Sequence, residues 1–244
     1  MKNGFSGFPT DTLRFLRQLK RNNNREWFLA HKDLYESKAK DPMTELVLAL
    51  GHELQQAAPE LIVDPKRAIY RIYRDTRFSA DKRPYKSHLA ARFVPRGIPK
   101  NTGAGMYFHI EPNQVIVAGG VYITDSPTLR ILRQHIADHW KHYRKITNQR
   151  SFRQLFGVVQ GECLVRLPSG FSRDHPAIDV LRQKQFFVAQ TKPAAFAEQP
   201  EFYPYLLELF SAMIPFVQFL NAPLQSRTQE ELLKPYRMTP QRWR

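Results

Sequence analysis

The chain has 244 residues, and its 37 Lys and Arg against 22 Asp and Glu give a formal net charge of +15. A hydrophobic content of 42% excludes a disordered chain, and a single cysteine excludes an intramolecular disulfide. The length suits one large domain or two small ones, and the charge favours polyanionic partners such as nucleic acid, although a basic protein without such a partner is an open alternative.

The first third of the sequence is predicted to be helical. Leucines recur at three-residue spacing from residue 13 to residue 19, which is typical of an amphipathic helix. The run Asn22 to Asn24 is expected to end this helix, and Asn23 with Glu26 has the spacing of a capping box for a second one. A helical hairpin is therefore predicted, followed by a third helix that begins at Asp41-Pro42 and ends before Pro59.

The middle of the chain changes to a strand pattern. The segment "AIYRIYRD", Ala68 to Asp75, is rich in β-branched and aromatic residues and predicts a strand. Further strands are predicted in "HLAARFVP", "GMYFHIEP" and "QVIVAGGVYI", with "EPNQ" as the turn of a hairpin from about Met106 to Ile123. Gly119-Gly120 predicts a bulge or a close approach of another backbone.

The last part of the sequence returns to helices. A helical pattern starts at Ser126, and a final helix is expected from about Phe202 to Leu220, with a kink or break at Pro215. The predicted fold class is α+β, an antiparallel sheet flanked by N-terminal and C-terminal helices in a single domain, residues 8–221. Residues 222–244 are predicted to be a basic C-terminal extension.

Location and membrane partners follow from the apolar segments. The N-terminal residues lack the apolar core of a signal peptide. The most apolar run, Tyr205 to Leu220, is interrupted by Glu208 and Pro215 and is shorter than the roughly 20 residues that cross a bilayer. With one cysteine, which fits a reducing compartment, the sequence predicts a soluble cytoplasmic protein with no membrane partner. The oligomeric state is left undefined.

Positive charge is concentrated between Arg67 and Lys100, which we call the basic segment. It holds ten Lys and Arg but two acids, Asp75 and Asp81, so about half of the excess charge lies in a seventh of the chain. Aromatic residues are interleaved with the bases. If residues 69–75 form a strand, Arg71 and Arg74 lie on opposite, largely apolar faces, and at least one is partly buried. A buried guanidinium needs either an internal carboxylate or an external anion.

Three functions remain open at this point. The leading hypothesis is a protein that binds a phosphate-bearing anion, nucleic acid included, because arginine forks suit phosphates. The predicted ligand-binding residues are Arg71, Arg74, Arg77, Lys82, Tyr85 and Lys86. The second is an enzyme for a small phosphorylated or carboxylated substrate, in which His109, Glu111 or Asp75 handle protons. The third is a structural domain in which an internal Arg-Asp brace neutralises the arginines.

Other polar residues are expected to be structural. His109 and Glu111 would share a strand face and could reach one ligand or metal, but no third ligand is identifiable. His135, His139 and His142 lie on one helical side, with the outer two too far apart for a shared zinc. His31 is expected in the core, and Cys163 is expected to be a buried structural thiol. No metal site is predicted, and no cofactor motif is present to define a cofactor.

Four stretches, "RIYRDTRFSADKRPYKSHL", "NNNREWFLAHKDLYE", "FHIEPNQ" and "PSGFSRDHPAIDVLRQK", carry a resemblance. The chain resembles domain of unknown function family 2461 from about Phe8 to Leu220, and this implies a domain span and a motif but no mechanism. The matched motif positions are Arg74, Asp75, Asp81, Lys82, Pro84, Tyr85, Lys86, His109, Glu111 and Pro112. The chain departs from similar members at Thr124-Asp125, where they often carry a proline.

Overall fold

A five-stranded antiparallel sheet, with its strands in chain order, forms the centre of the protein. The structure is a computed structural model that describes residues 4–98 and 102–233. The predicted hairpin is confirmed, because β3 and β4 pair from Gly105–Gly120 to Ile110–Val115. The strands are β1 (Leu61–Ile62), β2 (Leu89–Pro95), β3 (Gly105–Ile110), β4 (Gln114–Val121) and β5 (Phe186–Pro193).

Strand alternation gives the sheet two different faces. In β3, Met106, Phe108 and Ile110 are fully buried on the first face, whereas Tyr107 and His109 are half-buried on the second. The same period of two runs through β4, where Val115, Val117 and Val121 are buried. The first face is therefore part of the core, and the second face is left for other contacts.

Helices surround this sheet and confirm the α+β class. The predicted N-terminal hairpin consists of α1, two short helices and a π-helical turn, and the third predicted helix starts at Asp41 as expected. The predicted helix from Ser126 is interrupted at His139, where α6 ends and α7 begins. The helices are α1 (Thr10–Arg21), α2 (Arg25–Ala30), α3 (Lys32–Tyr35), α4 (Asp41–Ala57), α5 (Pro65–Ala68), α6 (Ser126–Asp138), α7 (Trp140–Thr147), α8 (Arg150–Phe156), α9 (Ile178–Leu181) and α10 (Phe202–Leu233), with a π-helix (Glu36–Lys40) and a 3-10 helix (Ala194–Glu198).

The long helix α10 packs across the first face of the sheet. Phe210 of α10 lies edge-on to Phe93 of β2, with 5.7 Å between ring centroids, and tilted against Phe108 of β3 at 6.4 Å. The predicted break at Pro215 is wrong, because α10 runs through that proline and continues past Leu220 to Leu233, the last described residue. Buried side chains on both sides of Pro215 hold the two halves against the core, which offsets the lost backbone hydrogen bond.

By length and apolarity, residues Phe202–Gln225 of α10 could cross a membrane, with a mean hydropathy of 1.3. More than half of that stretch is buried inside the protein, and Leu206, Leu209 and Phe216 are fully buried there. A buried core helix of a soluble protein has these properties. The predicted extension begins inside α10, and its residues 234–244 lie outside the described part of the chain.

The two glycines of β4 confirm the predicted close approach. A Cβ on Gly120 would lie 2.1 Å from the backbone oxygen of Phe186, and the residue has a φ of +120°. A Cβ on Gly119 would lie 2.5 Å from the sulfur of Met213 in α10. Gly120 therefore permits the contact with β5, and Gly119 permits the contact with α10.

The predicted strand over residues 68–75 is replaced by an irregular hairpin, Ile69 to Lys86, which we call the basic hairpin. Its first arm follows β2 only at Ile69 and Tyr70, where Tyr70 N donates to the oxygen of Ala90. It then turns away and pairs with its own return, through Arg74 N to Pro84 O and Lys86 N to Ile72 O, both 2.8 Å. Because of this self-pairing, residues 69–75 do not form a regular sheet strand.

Asn23 attaches the basic hairpin to the helices. Its amide nitrogen donates to the oxygen of Tyr85 at 2.9 Å, and its amide oxygen accepts from the nitrogen of Tyr85 at 3.0 Å. The predicted capping role of Asn23 is wrong by one residue, because Asn24 caps α2 by accepting from Trp27 N. Asn23 is instead used to satisfy a backbone pair of the basic hairpin that would otherwise lack partners.

We expect Asn23→Ala to destabilise the protein substantially. The change leaves the backbone nitrogen and oxygen of buried Tyr85 without these partners, which costs about 2–4 kcal/mol in the free energy of unfolding. Urea denaturation measures this free energy. Asn22→Ala is the matched control, since its exposed side chain bonds only to Gln18 O, and its effect should stay below about 1 kcal/mol. Equal losses in the two variants would contradict the role of Asn23.

Candidate functional site

The two aspartates of the basic segment are engaged by arginines at the tip of the basic hairpin. Asp81 accepts from Arg74 at 2.5 Å and from Arg83 at 2.7 Å, and Asp75 accepts from Arg77 at 2.8 Å. The bonds from Arg83 and then Arg74 hold the pKa of Asp81 well below its usual range. Asp75 has a lowered pKa, chiefly through Arg77. Arg74 and Arg77 are therefore paired with internal aspartates, as the internal-brace alternative expects.

Tyr85 has a different environment from the one predicted. Its side chain is 4% exposed and its ring stacks on Phe28 with 4.1 Å between centroids. The prediction that Tyr85 contacts a ligand is therefore corrected, because the ring packs in the core. Lys82, also predicted to bind ligand, donates to the oxygen of Thr76 at 3.1 Å within the same hairpin tip.

A cavity of about 690 Å³ lies beside the base of the basic hairpin, and we call it the basic cavity. Of the twelve described residues that line it, five are Lys or Arg and none is Asp or Glu. Arg71 and Lys86 belong to the predicted ligand-binding set, whereas Arg74, Arg77, Lys82 and Tyr85 do not line it. The lining residues are Ile62, Lys66, Arg67, Ala68, Ile69, Tyr70, Arg71, Lys86, Arg92, Val94, Ile98 and Gly103.

Local structure explains why these bases converge. The short helix α5 starts where the Asp64 carboxylate accepts from Lys66 N at 3.0 Å, and it carries Lys66 and Arg67 to one side of the cavity. Arg92 projects from the second face of β2, where its guanidinium donates to Gly103 O at 3.1 Å. The sheet edge thus brings together residues that are 26 positions apart in sequence, from Lys66 to Arg92.

Lys86 lies at the junction between the basic hairpin and the cavity. Its ammonium donates to the oxygen of Arg71 at 2.8 Å and lies 5.2 Å from the centre of the Tyr70 ring. Burial, and to a lesser extent the charge of Arg71, lower the pKa of Lys86. Among the described residues, no carboxylate forms an ion pair with Lys66, Arg67, Arg71 or Lys86. The cavity is therefore electropositive.

A second cavity of about 590 Å³ adjoins the first, and we call it the aromatic cavity. Tyr70 and Arg92 line both cavities, so the two lie side by side along the sheet. His109 lines the aromatic cavity, and its Nδ1 lies 3.0 Å from the Tyr107 hydroxyl. The lining residues are Tyr70, Arg92, Gly105, Tyr107, His109, Ile116, Ala118, Gly119, Gly120, Tyr122, Ile123, Phe187, Ala189 and Thr191.

The three residues predicted for proton transfer are used differently. Glu111 lies in the turn after β3, where it accepts from the Gln114 amide at 2.6 Å, and Asp75 is held by Arg77. Neither lines the basic or the aromatic cavity, whereas His109 lines the latter. Burial lowers the pKa of His109, so the ring is neutral near pH 7.

The remaining histidines and Cys163 do not line the basic or the aromatic cavity. His135 packs on Phe219 of α10 with 4.6 Å between ring centroids, and His31 stacks on Trp27 at 4.0 Å. Within residues 4–98 and 102–233, no group of three His, Cys, Asp or Glu could hold a metal ion. The prediction of a buried Cys163 is wrong, because the residue lies exposed in an extended segment that forms a single bridge with Gln183.

Sequence reasoning missed some cavity residues. Lys66 precedes the basic segment by one position. The sequence signal for it was the helix start at Asp64-Pro65, which places Lys66 in the first turn of α5. Arg92 is charged in the middle of an apolar strand, between Ala90 and Val94 on the same face, and that pattern indicates a polar site on the second face. Lys100, one of the ten bases, lies outside the described residues.

Comparison with known proteins identifies a family. A family model described as "Conserved hypothetical protein (DUF2461)" matches residues 11–219, which is most of the chain and includes both cavities. No curated protein and no solved structure matches the chain.

His88, next to His109, predicts a specific pH dependence of stability. Burial, then His109 and Lys86, lower the pKa of His88 from 6.5 to about 4, and the two histidine rings lie 5.6 Å apart. The unfolded chain takes up the proton near pH 6.5 and the folded protein near pH 4. The contribution of neutral His88 is therefore full above pH 6.5 and is lost as the pH falls towards 4, by up to about 1.4 kcal/mol per pH unit.

Replacing His88 by Gln should flatten this dependence. The free energy of unfolding of wild type and His88→Gln, measured with urea between pH 7 and pH 4.5, is expected to converge as the pH falls. The carboxylates titrate in both proteins, so they contribute equally to the two slopes of unfolding free energy against pH. The difference between the slopes is therefore the contribution of His88. Parallel curves for the two proteins would show that His88 titrates normally in the fold.

Proposed function

The chain belongs to the DUF2461 family, and we propose that it binds a phosphate-bearing anionic ligand in the basic cavity. The observation that carries the proposal is the lining of that cavity, where five Lys and Arg meet and the described lining residues include no acid. A cluster of like charges in one concavity is unfavourable unless water or an anion compensates it. A bound anion would compensate Lys66, Arg67, Arg71 and Lys86 together.

The chemistry of the five bases favours phosphate over a single carboxylate. Arg67, Arg71 and Arg92 each offer a planar fork of N–H donors, and Lys66 and Lys86 offer ammonium groups. A phosphate presents more acceptor oxygens and up to two negative charges, so it can engage several of these donors together. The volume of about 690 Å³ is within the range of small-molecule sites.

The alternatives have less support. Of the three residues in the enzyme hypothesis, His109 lines the aromatic cavity. Asp75 and Glu111 do not, because they are bonded to Arg77 and Gln114. The brace hypothesis accounts for Arg74 and Arg77 but gives no carboxylate partner among the described residues to Lys66, Arg67, Arg71 and Lys86. We also infer a cytoplasmic location from the single cysteine.

The first test is stabilisation by inorganic phosphate and pyrophosphate. Both are expected to raise the Tm of the wild-type protein, because an anion that binds only the folded state stabilises it by mass action. Arg71→Gln and Lys86→Gln should each weaken binding by about 30-fold, the loss of one charge-assisted hydrogen bond. Isothermal titration calorimetry measures the affinities of the same proteins.

The matched controls are Arg77→Gln and Lys82→Gln, which remove the same charges from the hairpin tip outside the basic cavity. Their affinities should stay within about threefold of wild type, since exposed charges are screened. Equal losses in all four variants would assign binding to net charge alone. An unchanged Tm of the wild type with every phosphate would support the brace hypothesis instead.

Nucleic acid is the polymeric form of such a ligand and has a distinct signature. Labelled single-stranded DNA and RNA should bind at low salt, and affinity should fall as salt rises because counterions are released. The double variant Arg71→Gln/Lys86→Gln should lower the slope of log K against log salt by about 1.4, or about 0.7 for each lost phosphate contact. Fluorescence anisotropy at several salt concentrations measures the slope. No binding at low salt would exclude nucleic acid while leaving small phosphates as ligands.

A further inference from the structure

The aromatic cavity lies directly beside the basic cavity and shares two lining residues with it. Tyr70 stands between them: its ring lies 5.2 Å from the ammonium of Lys86 on one side and 6.2 Å from the Tyr107 ring on the other. Arg92 also lines both. A single ligand can therefore have one end in each cavity.

The floor of the aromatic cavity is formed by small residues that meet across the strands. Ala118 of β4 pairs with Ala189 of β5, and two residues further along β4, Gly120 pairs with Gly105 of β3. On the second face of the sheet these four residues carry no side chain longer than a methyl group, which leaves space above the backbone.

The walls of this space are aromatic. Phe187 and Tyr122 form an edge-to-face pair with 5.2 Å between centroids, and Tyr107 and Tyr70 form a second one at 6.2 Å. Tyr122 is 66% exposed and Ile123 is 70% exposed at the rim. Large apolar side chains that are exposed together beside a cavity indicate a binding surface, whereas single scattered ones do not.

The polar groups of the aromatic cavity are few and mostly uncharged. Arg92 lies at the shared border, and Thr191 and the Tyr107–His109 pair offer hydroxyl and imidazole groups. Burial keeps His109 neutral near pH 7 and raises the pKa of Tyr107. An apolar pocket with a few neutral hydrogen-bonding groups is suited to an uncharged, planar group.

We propose that the aromatic cavity binds a planar aromatic ring belonging to the same ligand whose phosphate lies in the basic cavity. The ligand class is then an aromatic or nucleoside phosphate ester, and this inference depends on the proposed phosphate site. The charge of the basic cavity suits an anion, and the apolar walls of the aromatic cavity suit a ring, so the ligand carries both groups on one molecule. Stacking on Tyr122 and contact with the floor at Ala118 supply the recognition of the ring.

The test uses two matched pairs of ligands that share a phosphate and differ in a ring. Phenyl phosphate is compared with methyl phosphate, and adenosine monophosphate with ribose phosphate, by calorimetry on the full chain. The ligand with the ring should bind about tenfold more tightly in at least one pair, the size of one stacking contact. The pair that shows the preference identifies the ring as a simple aryl group or a nucleobase.

Two variants test whether the ring binds in the aromatic cavity. Tyr122→Ala removes an exposed wall, and Ala118→Leu fills the floor; both should abolish the tenfold preference and leave the affinity for methyl phosphate unchanged. Phe78→Ala is the matched control, because this aromatic side chain is 95% exposed and lies outside both cavities. It should keep the preference.

The outcomes separate this inference from the proposed function. Equal affinity within both pairs, or a preference that survives in Tyr122→Ala and in Ala118→Leu, overturns the inference while the phosphate site stands. Failure of all four ligands to bind overturns the phosphate site, and the inference with it.

Discussion

The apolar contact between α10 and the first face of the sheet is the interaction on which the rest of the structure depends. Phe93 and Phe108 pack against Phe210, and Met213 fills the space above Gly119. Each such buried side chain contributes about 1.5–3 kcal/mol, so together they are a large part of the stability of the domain. Because this face supplies so much of the core, the second face is free to carry Arg92, Tyr107 and other polar or aromatic side chains.

The distribution of charge in the basic segment follows from the same division. The two aspartates lie at the tip of the basic hairpin, where Asp81 pairs with Arg74 and Arg83 and Asp75 pairs with Arg77. At its base no acid lines the cavity, and Lys86 is partly buried with a lowered pKa. The fold tolerates this because Arg71 is exposed to water, whereas Tyr85 and Ile72 anchor the hairpin in the core. The hairpin thus separates an end where arginines pair with carboxylates from an end where the described cavity lining holds no carboxylate.

Much of the fold could be predicted from local patterns. Strand-type composition and the turn residues between β3 and β4 identified β2, β3 and β4, and the paired glycines identified a close approach, because each signal depends on a few neighbouring residues. The basic hairpin could not be predicted in this way. Its first arm has the composition of a strand, but its backbone pairs with its own return, and its attachment depends on Asn23, 62 residues away from Tyr85. For the same reason the sequence identified the basic segment but not which of its bases share a cavity.

Gly120 also affects how the sheet assembles. The register of β4 against β5 brings the carbonyl of Phe186 to the one position where a Cβ would overlap it, and any shift by two residues would place Ala118 or Tyr122 there. β5 is joined to β4 by a connection of more than sixty residues, so its arrival during folding is not guided by a short turn. A pairing shifted by two residues would place a Cβ against this carbonyl, so the overlap disfavours that alignment. The glycine thereby helps to fix the register between two strands that are far apart in the sequence.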